Sequence, residues 1–124
     1  MSLEAGNNDA LAKHVRAYYE AVDRSDLDGL LALFAPDARY ERPGYAALVG
    51  RAALSDFYRN VRVIAEGRHA IEGLVVGGDE VAVRGSFAGR ARAGNDLSVR
   101  FADFFRFRNG LIVERRTYFD APAV

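Results

Sequence analysis

The first third of the chain spaces its hydrophobic residues at intervals that favour helices. Steps of three and four residues, which place side chains on one helix face, separate Leu11, Val15, Tyr18 and Val22. Asn8 and Asp9 precede this stripe and are good helix-capping residues, so we expect the first helix to begin there. Ser25 and Asp26 open a second predicted helix, and Pro36 ends it. The inner face of that helix is formed by Leu27, Leu30, Leu31 and Phe34.

A third predicted helix precedes a run of predicted strands. The helix follows Gly50, and its inward residues are Leu54, Phe57, Tyr58 and Val61. Beyond Gly67 the hydrophobic period falls to two, which indicates strands. The predicted strands cover Ala38–Arg42, Ala70–Val76, Glu80–Arg92, Leu97–Arg108 and Leu111–Phe119. Asn109-Gly110 predicts a tight hairpin, because both residues tolerate a positive φ. Helices followed by an antiparallel meander predict an α+β fold.

One carboxylate interrupts an otherwise apolar strand face. Because strand side chains alternate, one face of the third long strand carries Val99, Phe101, Asp103, Phe105 and Phe107. A carboxylate there has to be paired, protonated or in contact with a wet cavity. Tyr18 and Tyr58 add phenols from the inward faces of two helices. Such convergence is typical of a ligand pocket, and the alternative is a structural ion pair among ordinary core tyrosines.

Composition and charge narrow the class of protein. The chain has 124 residues, which predicts a single domain over residues 1–124. With 50% hydrophobic residues, eight Phe and six Tyr it is not a disordered segment, and it has no cysteine for disulfides or thiolate chemistry. Basic and acidic residues balance at 17 each, so we expect neither nucleic acid nor membrane as a partner. No metal-binding motif is present and no cofactor is expected, and the N-terminus lacks the pattern of a secretory signal, which favours the cytoplasm.

Two segments resemble a known family. VRAYYEAVDRSDLDGLLALFAPDA, starting at Val15, and ADFFRFRNG, starting at Ala102, resemble ketosteroid isomerases. These belong to the nuclear transport factor 2-like (NTF2-like) superfamily, together with SnoaL-like polyketide cyclases and limonene epoxide hydrolase. The resemblance implies a curved antiparallel sheet that three N-terminal helices wrap into a cone, a cystatin-like roll, with an apolar internal cavity. It also implies a homodimer formed through the outer sheet face.

The resemblance assigns residues to the isomerase site but leaves its base missing. Tyr18 matches the oxyanion-hole tyrosine, Asp103 the neutral hydrogen-bond-donating acid, and Tyr58 a supporting phenol. Where the isomerase keeps an aspartate before a proline, this chain has Arg42, which cannot act as a base. Glu41 and His69 are the remaining candidates; strand alternation points Glu41 away from the interior, and a strand-end surface position is the alternative for His69. The epoxide hydrolase signature is also absent, because Arg84-Gly-Ser86 and Thr117 stand at its acidic positions.

The expected cavity combines these groups with apolar side chains and two arginines. The predicted ligand-binding residues are Arg42, Phe57, Tyr58, Val83, Phe87, Phe101, Arg115, Thr117 and Phe119, beside the predicted catalytic residues Tyr18, His69 and Asp103. If Arg42 approaches Asp103, it stabilises the ionised carboxylate and makes it an acceptor. Two arginines in the cavity would favour a carboxylate, an enolate or a polarised carbonyl, and the alternative for both is a strand end that reaches solvent.

Two functions follow from this interpretation. The first is cofactor-independent acid-base isomerisation or cyclisation of a small, largely apolar carbonyl compound. Tyr18 and Asp103 would polarise its oxygen. The second is a binding module of the same fold without catalysis, which the missing aspartate favours.

Overall fold

One long helix and two short helical segments lie on one side of a single sheet. The computed structural model describes residues 3–121, with side chains from Asn7 onward. Helix α1 spans Leu3–Asp23, α2 spans Leu27–Leu31, and α3 spans Arg51–Asp56, continuing into a π-helical turn over Phe57–Val61. The α+β class is therefore confirmed.

The helix boundaries correct several predictions. Asn8 and Asp9 lie inside α1 rather than at its start, since a single Asn or Asp costs a helix only a fraction of a kcal/mol, ~0.7 at most. Asp26 is confirmed as the cap of α2, because its side chain accepts a hydrogen bond from the Gly29 amide. Phe34 and Pro36 belong to the first strand instead of α2, and Pro36 falls where that strand's register shifts.

The sheet contains six strands in the order β2-β1-β6-β5-β4-β3. Their bounds are β1 Phe34–Glu41, β2 Leu48–Val49, β3 Ile64–Gly77, β4 Glu80–Ala91, β5 Asp96–Arg108 and β6 Leu111–Phe119. Neighbouring strands are antiparallel except β1 and β6, which run parallel. The sequence did not predict the short strand β2, and β3 begins six residues earlier than predicted. Gly67 lies inside β3 and does not end a helical region. A glycine is needed there because the Phe87 ring passes so close that a Cβ would lie 2.1 Å from it.

The inward sheet face and the helices enclose the core. The alternation predicted for β5 is confirmed, since Val99, Phe101, Asp103, Phe105 and Phe107 are all buried. The inward orientation predicted for Val61 is wrong. Val61 is 44% exposed, because the π-helical turn rotates it away from the core. Ile112 also departs from simple alternation, which would turn it to the face opposite Arg115; it is fully buried where the register of β5 and β6 shifts.

Candidate functional site

Asp103 lies at the centre of a buried hydrogen-bond network. The side chain is 0% exposed, and one carboxylate oxygen, Oδ2, accepts from the Tyr19 hydroxyl at 2.5 Å and from Arg115 Nη2 at 2.9 Å. The other oxygen, Oδ1, accepts from the Thr117 hydroxyl. Tyr40 extends the network, because its hydroxyl lies 3.0 Å from the same Thr117 oxygen and must donate to it.

This arrangement gives Asp103 the geometry of an acceptor. The isomerase resemblance implies a neutral acid that donates a hydrogen bond. Three donors converge on the two carboxylate oxygens instead, and an arginine is among them. The predicted approach of Arg42 to Asp103 is also replaced, since Arg115 is the cation that forms the ion pair.

Arg115 links the carboxylate to a pair of phenols. Besides Asp103, its guanidinium donates to the Tyr18 hydroxyl and, at 3.2 Å, to the Tyr58 hydroxyl. Its carbon Cζ lies 4.6 Å from the Tyr18 ring centre and 4.4 Å from the Tyr40 ring centre. Burial opposes its charge, but Asp103 and the surrounding phenols outweigh burial and raise the pKa of Arg115. Arg115 therefore stays protonated and holds the phenol oxygens in place.

The two phenols leave one hydroxyl hydrogen free. Tyr18 and Tyr58 place their hydroxyl oxygens 2.5 Å apart, so one of them donates to the other. Arg115 supplies the hydrogens of its own contacts with both oxygens. The second phenol hydrogen has no acceptor within residues 3–121 and can be donated to a bound oxygen atom. Burial raises the pKa of both phenols, so each remains protonated near neutral pH.

His69 forms a dyad with a carboxylate that the sequence analysis did not identify. Its Nδ1 lies 2.6 Å from Asp23 Oδ1, and Asp23 Oδ2 accepts from the His69 backbone amide at 2.9 Å. An ionised carboxylate only accepts, so Nδ1 carries the hydrogen and Nε2 keeps a lone pair. Burial lowers the pKa of His69, although the hydrogen bond that its Nδ1 donates to Asp23 opposes this. The ring is therefore neutral near pH 7 and Nε2 can accept a proton.

Arg42 is buried without a carboxylate partner. It follows β1, where strand alternation and the extended backbone before Pro43 turn it inward with Tyr40. It is 8% exposed, and its guanidinium forms no ion pair or hydrogen bond with any side chain the structure describes. The predicted alternative, a strand end reaching solvent, does not apply to Arg42 or to Arg115, which is 5% exposed.

A narrow cavity joins these groups. Its walls are formed by Tyr18, Tyr40, Arg42, Tyr58, Arg62, Ile64, His69, Phe87, Phe101, Asp103, Arg115, Thr117 and Phe119. The empty space amounts to about 390 Å³ where the mouth is included, but only about 20 Å³ is wide enough for the centre of a water molecule. That inner space holds one or two waters, so a larger ligand has to displace side chains.

Two of the predicted ligand-binding residues lie outside the cavity wall. Val83 is buried in the core at 3% exposure, and Phe57 packs behind Arg42. Glu41 lies on the outer side, where ion pairs with Arg39 and Arg116 lower its pKa.

Four side chains of this candidate site were not predicted from the sequence. They are Tyr19, Asp23, Tyr40 and Arg62. A sequence signal existed for Asp23, which lies one helical turn after Tyr19 and so shares its face of α1. The other histidine, His14, lies outside the cavity wall, and its Nε2 donates to the Leu33 carbonyl oxygen at 2.9 Å.

Neither a metal-ligand cluster nor a membrane-spanning helix is found in the described part of the chain. Within residues 3–121, no three His, Asp or Glu side chains group as metal ligands. None of the helices in that range combines the length and apolar character of a membrane span.

Comparisons with known proteins agree with this fold and place the chain in a family. The SnoaL-like domain model matches residues 15–115. An NTF2-like protein of unknown function from Burkholderia pseudomallei is 32% identical with a TM-score of 0.83, covering 90% of this chain and 91% of that one. The fold is thus that of the NTF2-like proteins. Within that class, the chain belongs to the SnoaL-like domain family.

Two more distant structures share the fold alone. An LEH-like epoxide hydrolase from M. tuberculosis is 20% identical with a TM-score of 0.81, covering 92% of this chain and 85% of that one. A ketosteroid isomerase-like protein from Catenulispora acidiphila, in complex with trimethylamine, is 24% identical with a TM-score of 0.75. The alignment covers 85% of this chain and 83% of that protein.

Proposed function

We propose that the protein catalyses proton transfer at a carbon atom next to the carbonyl group of a small substrate, without a cofactor. The observation that carries the proposal is that His69, held by Asp23, lies on the wall of a cavity that also contains the phenol pair Tyr18 and Tyr58. A base and an oxygen-binding donor on the same cavity are the two groups that enolisation needs.

The geometry supports a specific division of labour. His69 Nε2 takes the proton, so that the C–H bond breaks and its electron pair moves onto the carbonyl oxygen as an enolate. The free hydrogen of the phenol pair binds that oxygen, and the nearby charge of Arg115 stabilises it. The protonated His69 then returns the proton and restores the base: return to the same carbon regenerates the ketone with exchange of its hydrogen, and return to the far carbon of a conjugated C=C bond moves the double bond and isomerises the substrate.

Asp103 acts in this proposal as a positioning residue. It holds Arg115 at 2.9 Å, and Arg115 in turn holds the two phenol oxygens. Asp23 has the corresponding role for His69, because it fixes the tautomer that leaves Nε2 free.

The experiment measures solvent deuterium incorporation into a panel of small ketones and β-keto esters by NMR. His69→Gln should lower the exchange rate by about 100-fold or more, the usual contribution of a general base. Tyr18→Phe should lower it as well, since it removes one phenol of the pair. His14→Gln is the matched control, because it replaces the only other histidine of the chain and should retain the rate. Equal exchange by His69→Gln and His14→Gln contradicts the proposal.

A second candidate function is ligand binding without turnover. The narrowness of the cavity favours it, since about 20 Å³ of inner space leaves little room for a reacting substrate. Binding of a phenolic enolate mimic without deuterium exchange for any ketone of the panel would select this function.

The homodimer through the outer sheet face and the cytoplasmic location stay predictions. Phe104 and Tyr118, each 49% exposed and 5.9 Å apart between ring centres, supply aromatic surface on that face. Sedimentation of the protein beside a Tyr118→Glu variant would test the dimer, which the variant should dissociate.

A further inference from the structure

The guanidinium of Arg42 is enclosed by aromatic rings. Its carbon Cζ lies 5.0 Å from the ring centre of Phe57, 5.2 Å from Tyr45, 5.5 Å from Phe119 and 6.0 Å from Tyr40. Cation–π contacts of this kind offset part of the cost of removing the charge from water. Aromatic rings supply no hydrogen-bond acceptor of the carboxylate type, and the buried Nε atom of Arg42 has no hydrogen-bond partner among the described residues.

Arg42 and Arg115 differ in how their charges are compensated. Arg115 is paired with Asp103 and hydrogen-bonded to two phenols. Arg42 has no acceptor at all in the described chain, although it is 8% exposed. Leaving a buried guanidinium unpaired is costly unless some other molecule supplies the counter-charge.

A second cation lines the same cavity. Arg62 places its Cζ 5.7 Å from the Tyr58 ring centre, and its buried Nε also lacks a partner. Burial lowers the pKa of Arg62, and the positive charge of Arg42 adds to this effect. Tyr58 and other nearby phenols act in the opposite direction. The cavity wall therefore carries three guanidiniums against one carboxylate, and Asp103 already neutralises Arg115.

We propose that Arg42, assisted by Arg62, binds the anionic group of the ligand, so that the natural ligand is a carboxylate-bearing carbonyl compound. This inference rests on the proposed function, because it places the ligand in the same cavity. A guanidinium presents paired N–H donors that match the two oxygens of a carboxylate. The apolar part of the ligand then lies against Phe87 and Phe101, which form the wall beside His69.

Three probes of similar size but different charge test the inference. Benzoate, benzamide and benzamidinium share a planar shape and carry a negative, a neutral and a positive group. We expect benzoate to bind about tenfold more tightly than benzamide in calorimetric titration at low salt, because its hydrogen bonds are charge-assisted. Benzamidinium should bind most weakly. Failure of benzoate to bind, or equal affinities for benzoate and benzamide, would overturn the inference.

Variants locate the preference at Arg42. Arg42→Met should reduce the benzoate preference to about threefold or less, whereas Arg42→Lys, which keeps the charge but loses the paired donors, should retain part of it. Arg39→Met is the matched control, since Arg39 lies on β1 three residues before Arg42 but outside the cavity, and its replacement should leave the preference intact. An unchanged preference in a folded Arg42→Met protein would also overturn the inference, and the probe series on the unaltered protein decides the matter if that variant does not fold.

The inference and the proposed function fail in different ways. If deuterium exchange depends on His69 but benzoate and benzamide bind equally, the anion site at Arg42 is rejected and the proposed catalysis is supported. If the preference for benzoate depends on Arg42 but no ketone exchanges deuterium, the proposed catalysis is rejected and the anion site is supported.

Discussion

Replacing Arg115 by methionine tests how far the buried network depends on its single ion pair. Asp103 is 0% exposed and Arg115 is 5% exposed, so bulk solvent reaches the carboxylate only through the narrow cavity and compensates poorly for the lost partner. The Arg115→Met change leaves a buried carboxylate with hydrogen bonds from Tyr19 and Thr117 only. It also removes the donor that Tyr18 and Tyr58 share.

The expected loss of stability follows from measurements on buried ion pairs in other proteins. Removing one partner of a buried ion pair destabilises a protein by about 3–5 kcal/mol. A domain of this size has a total stability of about 5–15 kcal/mol, so the variant should fold with a melting temperature lowered by roughly 10–20 °C. Urea denaturation followed by circular dichroism measures the free energy of unfolding directly.

An exposed arginine on the neighbouring strand provides the comparison. Arg106 pairs with Glu114 at 3.1 Å, and its side chain is 49% exposed. Because exposed ion pairs contribute at most about 1 kcal/mol to stability, Arg106→Met should hardly change the free energy of unfolding. A loss below about 1 kcal/mol for Arg115→Met would refute the argument, since the carboxylate would then need no buried partner.

Three further predictions concern the same region. Burial lowers the pKa of His69, so the unfolded chain binds a proton at higher pH than the folded protein, and stability falls as the pH drops below 6.5. Urea denaturation at about pH 7.5 and about pH 5.5 should therefore show a smaller acid loss for His69→Gln than for the unaltered protein, and equal losses would contradict this. Burial raises the pKa of the Tyr18, Tyr19 and Tyr58 phenols, so absorbance titration should show three tyrosines that ionise only on alkaline unfolding; their ionisation near pH 10.0 would be inconsistent. A Cβ on Gly85 would lie 2.2 Å from the Ala70 carbonyl oxygen, so Gly85→Ala should cost about 1–3 kcal/mol in thermal unfolding while Ser86→Ala costs little.

Local periodicity predicted the sheet better than the helix ends. The last strand has the predicted bounds Leu111–Phe119, because a strong Asn-Gly turn precedes it. Gly67 misled the prediction of β3, since only the packed structure shows that the Phe87 ring occupies the space of a side chain there. Pro36 predicts a helix end, but tertiary pairing of β1 with β6 accommodates it in a strand at a register shift.

The candidate site was predictable wherever one element determined the direction of a side chain. Strand alternation correctly placed Asp103 in the interior, and the family resemblance did the same for Arg115. It could not show that Arg115, rather than Arg42, is the partner of Asp103, because that depends on how β1 lies beside β6. The dyad with His69 joins α1 to β3 across 46 residues, so no local pattern reveals Asp23 as its partner.

The most direct test of the catalytic account is the tautomer and protonation state of His69, read from its ring nitrogens by ¹⁵N NMR of histidine-labelled protein near neutral pH. The account predicts a neutral ring with hydrogen on Nδ1, a bare Nε2, and a pKa below 6.5. A ring that is charged at pH 7, or that carries its hydrogen on Nε2, would contradict the assignment of His69 as the base.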